Sequence, residues 1–224
     1  GTGAFMKKLE DAEALANDLR NIAIGAGRKS TALITDMNQP LGRFAGNSLE
    51  VLECLEIMEN KSFPTAEGRD LYADTRELSV QLSAHMILQA GKAKTLGEAV
   101  ALANGQLKNG QALAKFNEMV LRQGGDIKML RHATQTHLVK SKSSGYLKSF
   151  NAEKIGLAGI SLRAGRMKKE DSVDPTSGVE FHKKIGDAVK EGEILFTIHV
   201  NNPILALECE RLLRDSVEIS LQKT

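Results

Sequence analysis

Tryptophan is absent from this chain of 224 residues, and aromatic residues make up only 4% of it. Proteins that bind single-stranded nucleic acid usually stack bases on aromatic rings, so this shortage argues against that function. The formal net charge is only +2, which is too small to indicate a nucleic-acid partner. No apolar run approaches the roughly 20 residues of a membrane-spanning helix. The composition therefore predicts a globular protein with neither a nucleic-acid nor a membrane partner.

Cysteine is also scarce. The two cysteines, Cys54 and Cys209, lie far apart in segments with helical patterns. Isolated thiols of this kind are typical of reduced core residues in an intracellular compartment, where disulfides are rare. The first 25 residues are amphipathic and lack the apolar core of a signal peptide. We therefore expect a cytoplasmic protein.

Helical periodicity dominates the first 130 residues. Apolar residues recur at helical spacing over about 7–24, 48–58 and 69–90, and again from Thr95 to about 123. Glu98 follows Thr95 at the spacing of a capping box. The predicted apolar face of the long helix consists of Leu71, Leu78, Leu82, His85 or Met86, and Ile87.

One segment interrupts these helices. Thr31–Thr35 is a short, mostly apolar run typical of a strand, and Pro40 and Gly42 then mark a loop. Asn47 or Ser48 is expected to cap the helix that follows. Because α/β proteins place ligands between a strand and a capped helix, this segment is the first candidate for a site.

The pattern changes to short strands bounded by glycines after about residue 137. A hairpin is predicted from 137–140 and 146–150, with its turn at Ser143–Gly145, and a short helix over 151–163. Further strands are predicted at 179–182, 188–189 and 194–200, and a last helix capped by Asn201 or Asn202. The run from Ile185 to Leu195 has the form of a hairpin in lipoyl-like, barrel-sandwich folds.

Several motifs carry a resemblance to a known family. Thr35–Gly42 (TDMNQPLG) and Gly46–Val51 (GNSLEV) resemble the T-D-M-x-Q-P-L-G and G-N-x-L-E-V segments of the thymidine and pyrimidine-nucleoside phosphorylases. Looser similarities are found in Gly1–Met6, Ser177–Phe181, Ile185–Asp187 and Gly192–Leu195. The resemblance covers nearly the whole chain and implies the later part of such an enzyme. We accordingly expect Gly1 to be a truncation point, because Met6 is the first methionine and Gly1-Thr-Gly3 suits a loop that leaves a strand.

The resemblance implies a mixed α/β and α+β fold class. Residues 1–130 would be the helix-rich remainder of the α/β phosphorylase domain. Residues 131–224 would form a smaller α+β C-terminal domain with a barrel-sandwich, lipoyl-like part. The parent enzyme would be a homodimer that cleaves thymidine or another pyrimidine nucleoside with phosphate, giving free base and a pentose 1-phosphate.

Catalytic residues are not expected in this chain. The family's phosphate loop and its base-binding arginine and Ser-x-x-x-Lys element have no counterpart at matching positions. An alternative is a non-catalytic binding or carrier module with a lipoyl-like domain. Lys168 and Lys169 are the candidate attachment lysines for that alternative, although a solvated charged loop is the simpler interpretation of their surroundings.

The resemblance also implies binding residues. Some members of the family bind a monovalent cation, and the matching ligands here would be the carbonyl oxygens of Leu41 and Phe44 and the carboxylate of Glu53. Oxygen ligands suit a hard cation such as potassium, and no other cofactor is implied. The alternative is that Glu53 is an ordinary surface residue of its helix. Phe5 would lie near the nucleobase, and Gly165 and Arg166 would belong to a lid over the cleft.

One glycine pair remains open to two interpretations. Gly1 and Gly3 could form a loop that cradles phosphate. A tight turn is the simpler interpretation, because a lone Gly-x-Gly is a weak signal. None of the five histidines has the partners that a zinc site needs.

Overall fold

Seven α-helices and two antiparallel sheets form the part of the chain that this computed structural model describes, residues 1–223. The helices are α1 (Leu9–Gly25), α2 (Asn47–Met58), α3 (Ala73–Gln89), α4 (Leu96–Lys108), α5 (Gln111–Arg122), α6 (Ala152–Ser161) and α7 (Ile204–Arg214). The strands are β1 (Phe44–Ala45), β2 (Gln135–Lys140), β3 (Gly145–Phe150), β4 (Gly178–Phe181), β5 (Ala188–Val189), β6 (Ile194–Val200) and β7 (Val217–Ser220). A 3₁₀ helix covers Ile127–Met129.

The two sheets share one aromatic core. The larger sheet has the order β1-β4-β6-β2, and the smaller has the order β5-β3-β7. Phe181 and Phe196 of the larger sheet meet edge to face with ring centroids 5.5 Å apart, and Phe150 of the smaller sheet contacts both. Burying three aromatic side chains at one point supplies much of the apolar stabilisation of this half. The expected mixed α/β fold class is confirmed.

The local signals in the sequence predicted most elements correctly. All of the predicted helices form, with ends shifted by up to four residues, and a break at Gly110 divides the stretch after Thr95 into α4 and α5. The hydroxyl of Thr95 accepts the Glu98 N–H at 3.2 Å, and the Glu98 carboxylate accepts the Lys94 N–H at 2.8 Å. These capping contacts confirm the start of α4.

The predicted strand at 31–35 is wrong. These residues form no sheet pairing, and Ile34 is 47% exposed. A strand needs a neighbour to satisfy its backbone groups, and within residues 1–223 no strand lies beside this segment. The predicted cap of α2 is also wrong, because the capping position is Gly46. The Asn47 side chain instead donates to the Ala164 carbonyl oxygen at 2.9 Å.

Both predicted hairpins are wrong as well. β2 pairs with β6 and β3 pairs with β5 and β7, so the turn at Ser143–Gly145 joins two sheets. The second predicted hairpin, from Ile185 to Leu195, would pair β5 with β6. Instead β5 pairs with β3 in the smaller sheet, and β6 pairs with β4 in the larger sheet. Alternation along a strand indicates which face is buried but not which strand is its neighbour.

The apolar face predicted for the long helix is partly wrong, because two of its predicted residues are exposed. Within α3 the buried residues are Val80 and Ala84, whereas Leu82 and Met86 are 44% and 65% exposed. α3 packs against α4, whose buried residues are also small: Ala99 and Ala103. Small side chains let two helices approach closely, so the contact follows them rather than the largest apolar residues.

The first part of the chain contributes a strand to the second part. Phe44 and Ala45 of β1 pair with Glu180 and Val179 of β4. A Cβ on Gly178 would lie 2.5 Å from the Ala45 carbonyl oxygen, so this crossing requires glycine. The proposed boundary between residues 130 and 131 stays a prediction, and this pairing spans it.

Candidate functional site

The loop between Pro40 and β1 is held by two carboxylates. The Gly42 N–H donates to Asp74 Oδ1 at 3.0 Å. The Arg43 and Phe44 N–H groups both donate to Glu53 Oε2, at 2.7 and 3.2 Å. Three successive amide groups therefore face acidic side chains from α2 and α3, which fixes the path of the loop.

Glu53 lies inside the protein, with only 3% of its surface exposed. Its second oxygen, Oε1, accepts the Thr75 hydroxyl at 2.7 Å. Burial raises the pKa of Glu53, against the opposing effect of the hydrogen bonds from Thr75, Arg43 and Phe44. An exposed surface glutamate, the alternative considered from the sequence, does not describe this position.

The charge on Glu53 has no basic partner among residues 1–223, because none of the ion pairs there includes it. Asp74, in contrast, is paired with Lys184, whose Nζ lies 2.7 Å from Oδ2. The same Nζ donates to the Pro40 carbonyl oxygen at 2.7 Å. The loop is therefore surrounded by two acids and one base, and the buried acid is the unpaired one.

The two predicted carbonyl ligands lie at the start and end of this loop turn. Leu41 is 49% exposed and Phe44 is buried. Within the described residues no donor reaches the Leu41 carbonyl oxygen. Carbonyl and carboxylate oxygens are the ligand types that a hard cation takes. The cation role of Leu41, Phe44 and Glu53 stays a prediction.

Gly42 packs directly against the Glu53 carboxylate. Its φ is +64°, a left-handed conformation that glycine adopts without strain. A Cβ built there would lie 1.8 Å from Glu53 Oε1 and 2.4 Å from Thr75 Oγ1. The loop therefore depends on glycine both for its backbone shape and for its contact with the carboxylate.

A second polar cluster, which sequence reasoning missed, lies where β1 pairs with β4. The Arg43 guanidinium pairs with Glu180 and stacks 3.3 Å from the centre of the Phe63 ring. Glu180 also binds His199 Nε2 at 3.0 Å. Burial opposes ionisation of Glu180, but His199 and Arg43 outweigh it and lower its pKa. Only the three-dimensional pairing of β1 with β4 brings these residues together.

Phe5 lies at the edge of a large open groove. The groove has a volume of about 810 Å³ and lies between the N-terminal loop, α1 and residues 30–38. Phe5 is 91% exposed, and no residue of α1 is buried. The role of Phe5 beside a nucleobase stays a prediction.

Gly165 and Arg166 lie in the loop that follows α6. This loop is tied to the start of α2, because the Ala164 carbonyl oxygen accepts the Asn47 side chain. Arg166 is exposed and its guanidinium reaches the Lys169 carbonyl oxygen at 3.5 Å. Lys168 and Lys169 are also exposed, in the loop between α6 and β4 and not at the tip of a strand hairpin. The lid role stays a prediction.

Gly1 and Gly3 form a tight turn against residues 37–38. The Gly3 N–H donates to the Met37 carbonyl oxygen at 3.0 Å, and the Ala4 N–H donates to the Gly1 carbonyl oxygen at 3.1 Å. A Cβ on Gly1 would lie 2.8 Å from the Asn38 nitrogen. These amide groups are occupied within the protein, which favours the turn over a phosphate-binding loop.

Two family models match the parts of the chain that carry these features. The glycosyl transferase family, a/b domain, matches residues 1–113, which include the loop between Pro40 and β1 and the groove beside Phe5. The pyrimidine nucleoside phosphorylase C-terminal domain matches residues 146–220. The chain therefore belongs to the glycosyl transferase family with this a/b domain, in its pyrimidine nucleoside phosphorylase branch. The resemblance read from the motifs is confirmed.

Two relatives illustrate the similarity. A protein named pyrimidine-nucleoside phosphorylase from Staphylococcus haemolyticus (strain JCSC1435) is 42% identical over 230 residues, covering 100% of this chain and 51% of the relative. The protein of the same name from Staphylococcus aureus (strain USA300) is 42% identical over 207 residues, covering 90% of this chain and 46% of the relative. The chain thus spans about half the length of the curated relatives it matches. No helix within residues 1–223 is long and apolar enough to cross a bilayer.

Proposed function

We propose that this chain is part of a pentosyltransferase that phosphorolyses thymidine or other pyrimidine nucleosides to free base and (deoxy)ribose 1-phosphate. The observation that carries the proposal is the 42% identity to a pyrimidine-nucleoside phosphorylase, which extends over 100% of the chain. The match of separate family models to residues 1–113 and 146–220 supports it independently. The substrates would be inorganic phosphate and a pyrimidine nucleoside.

The chain would supply a wall of the cleft rather than the reacting groups. Phosphate must reach the anomeric carbon while the departing base is stabilised as an anion, which requires a cationic, hydrogen-bonding site. The groove beside Phe5 is lined mainly by apolar and small polar side chains, and its charged lining residues are Lys7, Lys8, Arg20 and Asp36. We therefore expect the 224-residue chain alone to show no phosphorolysis. The functional assembly would be a cytoplasmic homodimer, and the two free thiols, Cys54 and Cys209, support a reducing compartment.

A monovalent cation such as potassium would stabilise the loop of residues 38–46. Leu41 and Phe44 would offer carbonyl oxygens and Glu53 its carboxylate, and the ion would supply the positive charge that the buried carboxylate lacks. The effect would be structural, because Glu53 holds the loop through the Arg43 and Phe44 amide groups. This arrangement supports a cation that fixes the loop without entering the bond-breaking step.

A chimeric enzyme tests the proposed reaction. The matching half of the Staphylococcus haemolyticus relative is replaced by this chain, and uridine or thymidine is supplied with phosphate. We expect free base to form in proportion to pentose 1-phosphate. A chimera that folds and assembles like the relative but releases no base would overturn the proposal. Phe5→Ala serves as a second variant, and we expect it to raise KM for the nucleoside more than it lowers kcat.

The cation is tested separately through stability. Glu53→Gln removes the charge but keeps a similar shape, so potassium should raise the melting temperature of the chimeric enzyme less than it does when Glu53 is present. Glu77→Gln is the matched control, because Glu77 is an exposed residue of α3. An equal response to potassium with Glu53 intact, in Glu53→Gln and in Glu77→Gln would leave Glu53 as a purely internal hydrogen-bond acceptor.

A further inference from the structure

We propose that Asn109 is a site of spontaneous deamidation, where the side-chain amide is converted to the carboxylate of aspartate or isoaspartate. The site lies in the turn that joins α4 to α5. The chain contains two Asn-Gly sequences, Asn104-Gly105 and Asn109-Gly110, and their surroundings favour reaction at the second. The reaction consumes only water and is independent of the proposed phosphorolysis.

Deamidation begins with an attack of the backbone on the side chain. The Gly110 nitrogen forms a bond to Cγ of Asn109, and its proton leaves with the side-chain nitrogen as ammonia, which closes a five-membered succinimide ring. Water then adds to one of the two ring carbonyl groups and breaks the bond from that carbonyl to nitrogen. Opening at one carbonyl gives aspartate, and opening at the other gives isoaspartate. Because glycine has no Cβ, it obstructs the attacking nitrogen less than any other residue would.

The turn at Asn109 is held by few hydrogen bonds. Asn109 is exposed and directly follows the last residue of α4, and Gly110 has a φ of +77°. The Gly110 N–H donates to the Leu107 carbonyl oxygen at 3.2 Å, and the Gln111 N–H donates to Asn109 Oδ1 at 3.0 Å. Ring closure requires rotation about the Asn109 Cα–C bond, and this rotation breaks both contacts. The rate of deamidation therefore depends on how easily the turn opens.

Opening the turn has a low cost. Each of the two hydrogen bonds contributes about 0.5–1.5 kcal/mol, and the freed N–H groups meet water. The Leu107 carbonyl oxygen keeps a partner, because it also accepts the Asn60 side-chain amide at 3.0 Å. A Cβ on Gly110 would meet no atom within 4 Å, so no neighbouring group blocks the motion. Within α5 no residue is buried, and segments with few buried contacts open most readily.

Asn104 carries the same chemical group in a protected position. It lies inside α4, and its side-chain nitrogen donates to the Val100 carbonyl oxygen at 3.1 Å. The neighbouring Ala103 is buried, and α4 packs against α3. An attack by the Gly105 nitrogen would require this helix to open in its middle. Asn104 and Asn109 are both followed by glycine and glutamine, so the difference between them is structural.

The two products affect the turn differently. A new carboxylate is unfavourable at the C-terminal end of α4 and favourable at the N-terminal end of α5, because of the helix dipoles. Aspartate keeps an oxygen that can accept the Gln111 N–H. Isoaspartate adds one carbon atom to the main chain, which displaces α5 from α4. We therefore expect the isoaspartate form to loosen the contact between these helices.

The test compares the two asparagines within one sample of the 224-residue chain. The folded chain is incubated in mildly alkaline buffer made with heavy-oxygen water, which labels each carboxylate formed during the incubation. Trypsin then cuts after Lys94, Lys108 and Lys115, so that peptides 95–108 and 109–115 contain one asparagine each. Mass spectrometry gives the labelled fraction, and an isoaspartyl methyltransferase assay detects isoaspartate. A parallel incubation in concentrated urea provides the unfolded reference.

We expect peptide 109–115 of the folded chain to become labelled at least about tenfold faster than peptide 95–108. In urea the two rates should be similar, because the two asparagines precede the same residues. Asn109→Gln should abolish the label in peptide 109–115, since a six-membered ring closes more slowly. Asn104→Gln is the matched control and should leave that label unchanged. The proposal is overturned if the folded chain reacts equally at both sites or faster at Asn104. It is also overturned if the folded chain shows no label in peptide 109–115 when urea gives label in both peptides.

Discussion

Gly42→Ala should lower the free energy of unfolding far more than the same substitution at an ordinary glycine with a left-handed conformation. The left-handed conformation alone costs an alanine about 1–2 kcal/mol. The new methyl group would also lie 1.8 Å from Glu53 Oε1, so the carboxylate must move away. Glu53 then loses hydrogen bonds from Arg43, Phe44 or Thr75 while it remains buried, which costs about 1–3 kcal/mol. We expect a total loss of about 2–5 kcal/mol in the free energy of unfolding.

The matched control is Gly91→Ala. Gly91 follows α3 with a φ of +68°, close to that of Gly42, and a Cβ there would meet no atom within 4 Å. It should therefore lose only the conformational part, about 1–2 kcal/mol. Urea unfolding followed by circular dichroism at 222 nm measures both variants, since the chain has no tryptophan to report. Equal losses for the two substitutions would refute the argument that Glu53 and the loop are packed tightly together.

Three further predictions concern the second half of the chain. Burial works against ionisation of Asp174, yet hydrogen bonds from Thr176, Asn201 and Ser177 lower its pKa from 3.8 to about 2. This stabilisation is present above pH 3.8 and disappears as the pH falls through about 2, so Asp174→Asn should cost about 2 kcal/mol at pH 7 and progressively less in acid; a loss that does not vary with pH would contradict this. Phe196→Ala should cost about 3–5 kcal/mol in urea unfolding, because it empties the aromatic core, and a loss below 1.5 kcal/mol would contradict the packing. Limited proteolysis should cut first between residues 122 and 140. Early cuts elsewhere, with none in this range, would show that the predicted domain boundary is wrong.

Local signals explain what the sequence predicted well. The start of α4 depends on Thr95 and Glu98, which are three residues apart and need no distant partner. The motif from Thr35 to Gly42 indicated the family for a similar reason, since its residues are consecutive. Such features are visible in the chain because both members of each interaction lie within one turn.

Long-range pairing explains the errors. β1 has only two residues and exists because β4, more than 130 residues later, lies beside it. The predicted strand at 31–35 has the opposite problem, because its composition suits a strand but no neighbour pairs with it. The burial of Glu53 was equally invisible, since the amide donors that surround it come from a loop nine and ten residues earlier and its hydroxyl donor from α3. In each case the deciding partner is remote in sequence.

The pairing of β1 with β4 has a consequence for how the polypeptide can be divided. Residues 44–45 belong to the sheet of the second half. Two more contacts join the halves at the same junction: Lys184 donates to the Pro40 carbonyl oxygen, and Arg69 pairs with Asp187. The peptide connection near residue 130 is therefore only one of several attachments between the halves. Two separate polypeptides, ending and beginning in that connection, would retain every one of these contacts when mixed. We therefore expect that two fragments divided in that connection associate without a covalent link, whereas a break between 38 and 46 would separate β1 from the helix that follows it.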